Sequence, residues 1–128
     1  MIKALGLLSF LVILPAFAEK YQRELLLAIS LEDYATAESM IFRFNKQGLD
    51  LSNGDPQFTE TPLTMAVKKG WLRGVRILLV LHVNPHVRNE DGFTPLVLAD
   101  NLRKNEIATV LWRHLSPLPL QDNSISRF

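Results

Sequence analysis

The sequence predicts an all-α fold, a solenoid of about three helix-turn-helix repeats joined by short β-hairpin-like loops. Two observations predict it. The pattern T-P-L-x-x-A occurs at residues 61–66 and again at residues 94–99, so the two copies lie 33 residues apart. Each copy is followed by a second apolar stretch with helical spacing, around Leu78 in the first and Leu111 in the second. A two-helix repeat of this length cannot bury its own apolar face, so neighbouring copies must stack.

Residues 1–18, MIKALGLLSFLVILPAFA, have the layout of a secretory signal peptide. Lys3 is the only charge, an apolar run follows it, and Ala16-Phe17-Ala18 places small residues at the two positions that a signal peptidase recognises. We expect cleavage after Ala18 and a periplasmic or secreted mature chain. The alternative is an uncleaved signal anchor, although the apolar run is shorter than the ~20 residues that a spanning helix needs.

The first repeat covers about residues 20–55 and is degenerate. The apolar run from Leu25 to Ile29 aligns with residues 63–67, but Ala28 and Ala66 are 38 residues apart. The surplus over the 33-residue period falls mainly in residues 42–47, so we expect the second helix of this repeat to be a turn longer. Gly48 is expected to end that helix in the left-handed conformation.

The second repeat covers about residues 58–89. Thr61 is placed to cap the first helix, and Pro62 follows at the first helical position, where its missing N–H costs nothing. Ala66 is small and lets neighbouring helices approach closely. Gly70 stands between the two helices, where we expect a left-handed backbone.

The third repeat covers about residues 91–115, and a tail follows over residues 116–128. Gly92 supplies the positive φ that the tip of the connecting hairpin requires. Thr94 and Pro95 repeat the capping pattern. In the tail, Pro117 ends the last helix, and we expect the polar remainder to be mobile.

The period and the T-P-L-x-x-A pattern resemble the ankyrin repeat. The best-matched positions are Asn89, Gly92, Thr94, Pro95, Leu96 and Ala99 in the third repeat, Gly70, Val75, Ile77, Leu78 and Leu79 in the second, and Gly48 to Ser52 in the first. The chain departs from the family pattern where Thr64 and Val97 replace a histidine and where Trp71 replaces another. His82 and Arg103 occupy positions at which the family prefers glycine, so each is expected to cost about 1 kcal/mol.

Composition excludes several classes of function. The chain has 128 residues, a net charge of +1 and no cysteine. One domain is expected at this length, and the balanced charge argues against a nucleic-acid-binding protein. The absence of cysteine excludes disulfides, thiolate metal sites, a cysteine nucleophile and lipid attachment at a cysteine.

No catalytic or metal-binding motif stands out, so we predict no enzyme activity, no catalytic residue, no metal and no cofactor. The histidines His82, His86 and His114 have no H-E-x-x-H frame, and neither a P-loop nor a G-x-S-x-G motif is present. A basic run contains Lys68, Lys69, Arg73 and Arg76. It is interpreted either as a solvated face or as a patch for an acidic partner.

Resemblance to ankyrin repeats implies partner binding at the hairpin tips and at the exposed positions of the first helices. The corresponding positions are Ser30, Leu31, Phe58, Glu60, Lys68, Lys69, Trp71, Glu90, Asp91, Phe93, Asn101 and Leu102. Phe93 and Leu102 are apolar at solvent-facing positions, as hot spots often are. For Trp71, packing within the fold and contact with a partner are both open interpretations.

The resemblance implies a non-catalytic protein-interaction module whose partner is another protein and which is monomeric when free. An immunity or accessory protein that masks or stabilises a periplasmic enzyme or toxin is the specific role we expect. The alternatives are a membrane-anchored adaptor, if the signal is uncleaved, and a secreted effector directed at a host.

Overall fold

The computed structural model of the chain describes residues 20–53 and 60–116. The expected signal peptide, the predicted contact residue Phe58 and the predicted tail beyond Ser116 lie outside these residues. Within them the chain forms six helices and no strand. The helices are α1 (20–30), α2 (Tyr34–Lys46), α3 (Pro62–Lys69), α4 (Leu72–Val80), α5 (Pro95–Asn101) and α6 (Asn105–Leu115).

The helices pack as antiparallel pairs that stack in two layers. α3 packs on α4 and α5 on α6 within the pairs, while α3 contacts α5, and α4 lies between α2 and α6. Between the layers lies one apolar core, whose fully buried members include Leu25, Phe44, Leu63, Leu78 and Leu111. The predicted all-α helical repeat solenoid is therefore confirmed.

Hydroxyl caps begin the first helices of the second and third repeats, as the sequence predicts. The N–H of Thr64 donates to Thr61 Oγ1 at 3.2 Å, and Thr64 Oγ1 accepts the N–H of Thr61 at 2.7 Å. This reciprocal pair satisfies two backbone donors at once. Thr94 Oγ1 accepts from the N–H of Val97 at 3.3 Å, with Pro95 at the first helical position.

Left-handed residues end the helices. Gly48 and Gly70 have φ of 76° and 72°, as predicted. His82 and Arg103 adopt φ of 66° and 58°, so both non-glycine residues occupy the conformation that glycine adopts without strain. Glu32 does the same with φ of 62°, at a turn where the sequence pattern does not predict a positive φ.

The second helix of the first repeat is longer than that of the second repeat. α2 has 13 residues and α4 has 9. Because an α-helix has about 3.6 residues per turn, the difference is about one turn. This confirms the interpretation of the surplus residues between Phe42 and Gln47.

The loop between the second and third repeats closes as a hairpin tip at residues 89–93. The N–H of Asn89 donates to the carbonyl of Phe93 at 3.0 Å, and the N–H of Gly92 donates to the carbonyl of Asn89 at 2.9 Å. Asn89 Oδ1 also accepts the N–H of Phe93 at 3.0 Å. Gly92 has φ of 85°, the positive value that was expected for the tip.

Candidate protein-interaction surface

Six of the predicted contact residues occupy two adjacent register positions in successive repeats. We call this set the turn row, because its members lie at the carboxyl ends of α1, α3 and α5, beside the turn to the second helix. The turn row consists of Ser30, Leu31, Lys68, Lys69, Asn101 and Leu102. Since α3 packs against α5, its members on these two helices lie on neighbouring elements.

The turn row contains two leucines among four polar residues. Leu31 is 70% exposed and Leu102 is 43% exposed. Lys69 and Asn101 are exposed, and Ser30 is half-buried, with its hydroxyl donating to the carbonyl of Leu27 at 2.8 Å. The combination of exposed leucine and a polar rim is what a protein-binding surface requires.

The hairpin tip presents the second group of predicted residues. Glu90 and Asp91 are exposed, and Phe93 is 37% exposed. The buried Asn89 fixes their backbone, and the Arg88 guanidinium donates to the carbonyl of Gly92 at 2.7 Å. The tip is therefore an ordered, acidic surface with one apolar side chain.

Glu60 is not part of an accessible surface, which corrects the expectation from the sequence. It is only 5% exposed, and its carboxylate accepts from Lys68 Nζ at 2.9 Å and from Asn89 Nδ2 at 3.3 Å. Burying a carboxylate requires such partners, because its hydration is lost. Glu60 thus joins the end of α3 to the hairpin tip.

Trp71 is also buried, and of its two interpretations the structure supports packing. The indole is 5% exposed and stacks on the Tyr34 ring with centroids 4.7 Å apart and planes 7° apart. It lies directly over the backbone of Gly74, where any side chain would clash with the indole. Burial, and secondarily the nearby Glu32 carboxylate, raise the pKa of Tyr34 above its ordinary value.

The basic run identified in the sequence does not form one patch. Lys68 pairs with Glu60, and Arg73 makes two hydrogen bonds of 2.9 Å with the Glu38 carboxylate. The Arg73 hydrogen bonds hold the pKa of Glu38 below its ordinary value. Of the run, Lys69 belongs to the turn row and Arg76 faces a different surface, on the second-helix layer.

Exposed apolar residues outside the predicted set are the main feature that sequence reasoning missed. Trp112 is 63% exposed, although Ile41 and Leu79, which hold the same register position in the earlier repeats, are 0% and 4% exposed. Val80 is 72% exposed on α4. Comparing register positions across the repeats identifies Trp112 as a stacking residue that no further described repeat covers.

Neither a metal site nor a membrane span is found among the described residues. No group of three or more histidine, cysteine, aspartate or glutamate side chains within residues 20–53 and 60–116 is arranged to hold a metal ion. None of the helices in these two ranges has the length and apolar character needed to cross a bilayer.

Comparison with known proteins supports the ankyrin resemblance in part. No protein-family model matches the sequence. The transient receptor potential cation channel subfamily A member 1 of Homo sapiens, which has ankyrin repeats, is 33% identical to the chain over 85 residues. The match covers 63% of this chain but only 8% of that protein. This similarity and the stacked helix pairs fit an ankyrin-like repeat protein.

Proposed function

We propose that the chain is a non-catalytic protein-interaction module, monomeric when free, that binds another protein through the turn row and the hairpin tip. The observation that carries the proposal is the pair of exposed leucines, Leu31 and Leu102, at one register position on separate repeats. Two apolar anchors, with the polar Lys69 and Asn101 in the same turn row, match the apolar core and polar rim of a binding surface. The similarity to an ankyrin-repeat protein supports this class of function.

Its site of action, in this proposal, is the periplasm, where it masks or stabilises an enzyme or toxin as an immunity or accessory protein. The support is residues 1–18, whose charge, apolar run and Ala16-Phe17-Ala18 motif match an export signal. N-terminal sequencing of the chain recovered from its native cells tests this part. Glu19 as the first residue supports export with cleavage, whereas Met1 supports a membrane-anchored adaptor. Recovery from host cells would instead support the effector alternative.

A site-specific crosslinking experiment tests the binding surface itself. A photoreactive residue replaces Leu102 in one variant and Phe42 in a matched control, because Phe42 is also an exposed apolar residue, 48% exposed, but lies on α2 away from the turn row. We expect one discrete crosslinked protein from position 102 and none from position 42.

The reciprocal arm uses the variant Leu31→Asp/Leu102→Asp, with Phe42→Asp as its control. The double variant should abolish co-purification of the crosslinked protein and leave the thermal unfolding midpoint close to that of Phe42→Asp. Equal crosslinking from positions 42 and 102, or undiminished co-purification with the double variant, would contradict binding through the turn row.

A further inference from the structure

A second surface lies on the opposite layer, between the carboxyl-terminal halves of α4 and α6. It is an open groove of about 630 Å³. Four cationic or titratable basic side chains line it: Arg76, His82, Arg113 and His114. Among the described residues no aspartate or glutamate lines it, so the charge of its walls is positive without local compensation.

The remaining lining of the groove is apolar. Leu79, Val80 and Val110 contribute it, and Val80 is 72% exposed. Val80 therefore offers a free apolar surface between basic walls. A ligand that fits both features carries negative charge and an apolar side chain together.

The two arginines are not engaged within the described part of the chain. The side chain of Arg73, one turn before Arg76 on α4, is bonded to Glu38, but no hydrogen bond or ion pair joins the side chain of Arg76 or Arg113 to any described residue. Arg113 and His114 lie in the last turn of α6, where positive charge favours the helix dipole. Arg76 lies in the middle of α4, so the dipole does not account for it.

His82 holds its place in the groove at a conformational cost. It follows α4 with φ of 66°, a position where glycine would be unstrained. The imidazole contributes a polar group to the groove wall that glycine would lack.

We propose that this groove binds an acidic peptide segment that carries an apolar side chain between its carboxylates. The carboxylates face Arg76 and Arg113, which suit them because a guanidinium donates in a planar fork. The apolar side chain covers Val80. A peptide fits a groove between two helices better than a flat lipid surface does, and no phenylalanine, tyrosine or tryptophan is among the described residues that line it to stack a nucleic-acid base. The proposal is independent of the turn row.

A titration with two synthetic peptides tests the proposal on the full chain. One is a short fluorescent peptide of alternating glutamate and leucine, and the other has glutamine in place of every glutamate. We expect the glutamate peptide to bind and its affinity to fall with added salt. In Arg76→Gln/Arg113→Gln the affinity should fall at least about tenfold, because two charge-assisted hydrogen-bond sites are lost.

The matched control is Arg43→Gln/Lys46→Gln, which removes two positive charges from the exposed end of α2, where neither side chain lines the groove. Its affinity for the glutamate peptide should change less than about twofold. If both double variants lost the same affinity for the glutamate peptide, net charge alone would explain the effect, and the proposal would be overturned. Equal binding of the glutamine peptide would overturn it as well.

His82→Gly is a second variant. Its expected result cannot come from a loss of folding, because the variant should be more stable and still bind the peptide more weakly. Releasing the left-handed strain should raise the thermal unfolding midpoint, while loss of the imidazole should weaken binding of the glutamate peptide. If the variant is stabilised and its affinity for the glutamate peptide is unchanged, His82 does not take part in the site.

Two other occupants are distinguishable in the same experiment. If phosphatidylcholine vesicles containing phosphatidylserine bind in a manner sensitive to Arg76→Gln/Arg113→Gln while the glutamate peptide does not, the surface is a lipid site and the peptide proposal fails. The segment beyond Ser116 contains Asp122. If Asp122→Asn alone shifts the Arg113 side-chain NMR signal and raises peptide affinity, the chain's own segment occupies the groove, and the proposal of an external partner is overturned.

Discussion

Gly74 shows most sharply how a single residue determines the packing around it. The Trp71 ring lies where a side chain at position 74 would project, and it stacks on Tyr34 from that position. We therefore expect Gly74→Ala to displace the indole and to lower the free energy of unfolding by about 1–3 kcal/mol, although alanine is the better helix former. Urea unfolding followed by far-UV circular dichroism measures this. Ser39→Ala on the exposed face of α2 is the control, and a stabilised Gly74→Ala would contradict the packing.

Arg103 and Gly70 occupy equivalent helix ends, and substitutions at the two positions are expected to change the free energy of unfolding in opposite directions. Both have positive φ, but only Arg103 carries a side chain that strains there. Arg103→Gly should raise the free energy of unfolding by up to about 1 kcal/mol, since the strain released exceeds the added entropy of the unfolded chain. Gly70→Ala should lower it by about 1 kcal/mol or more. The pair is measured by chemical denaturation, and changes of the same sign would refute the strain argument.

Glu38 couples folding stability to pH. Hydrogen bonds from Arg73 depress its pKa in the folded state relative to the ordinary value of 4.5. A depressed carboxyl pKa adds stability that is fully present above pH 4.5 and is lost as the pH falls through the folded-state value. The free energy of unfolding should therefore decline less steeply below pH 4.5 in Glu38→Gln than in the wild type. Identical slopes for the two proteins would exclude this contribution.

Sequence reasoning at this scale succeeds where a residue acts through its own backbone. Thr61, Gly70 and Gly92 were placed correctly because capping and positive φ are local requirements. Glu60 is expected on a surface but is buried, and Trp71 is left between packing and partner contact, because their environments depend on Asn89 and Tyr34, which are distant in the sequence. Local signals do not report such contacts.

At the scale of elements, Glu60 connects α3 to the hairpin tip. Its carboxylate bonds both Lys68 and Asn89, and Asn89 in turn accepts from the N–H of Phe93. Glu60→Ala should leave these partners incompletely satisfied and lower the free energy of unfolding by about 1–3 kcal/mol. The sharper measurement is hydrogen exchange, which should accelerate at the Phe93 amide. Glu90→Ala on the exposed tip is the control, and equal exchange in both variants would contradict the connection.

The extra turn of α2 was predictable, and the groove between α4 and α6 was not. The extra turn follows from comparing the spacing of the first two repeats with the 33-residue period, and this comparison needs no knowledge of contacts. Predicting the groove requires knowing that Arg76 and Arg113, far apart in the sequence, face one space across two packed helices. The basic run in the sequence contains both Arg76 and Arg73, but the charge of Arg73 is paired with Glu38.

The whole molecule is a stack whose last described repeat has an uncovered side. Leu79 and Trp112 share one register position, but Leu79 is 4% exposed and Trp112 is 63% exposed. We expect Leu79→Ala to lower the free energy of unfolding by about 2–5 kcal/mol, because it leaves a cavity between repeats. Trp112→Ala should cost less than about 1 kcal/mol. Equal losses, measured by urea denaturation, would mean that Trp112 is covered in solution.

The all-α stack itself was predictable from the repeat period, since a 33-residue unit with two helices determines both the elements and their order. Which side chains stay exposed at the last described repeat was not, because register position states which residues face a neighbour but not whether a neighbour covers them. The exposed side chain of Trp112 is the visible result.

The two tryptophans also give this chain two separable optical signals. Iodide in solution reaches the indole of Trp112 and is excluded from that of Trp71, which is 5% exposed and lies against a second aromatic ring. The fluorescence that iodide quenches comes from Trp112 and therefore reports on any molecule that covers the last described repeat. The fluorescence that iodide does not quench comes from Trp71 and reports whether the interior remains folded. A ligand that binds over Trp112 would reduce the iodide quenching of Trp112 fluorescence and leave the Trp71 fluorescence unchanged.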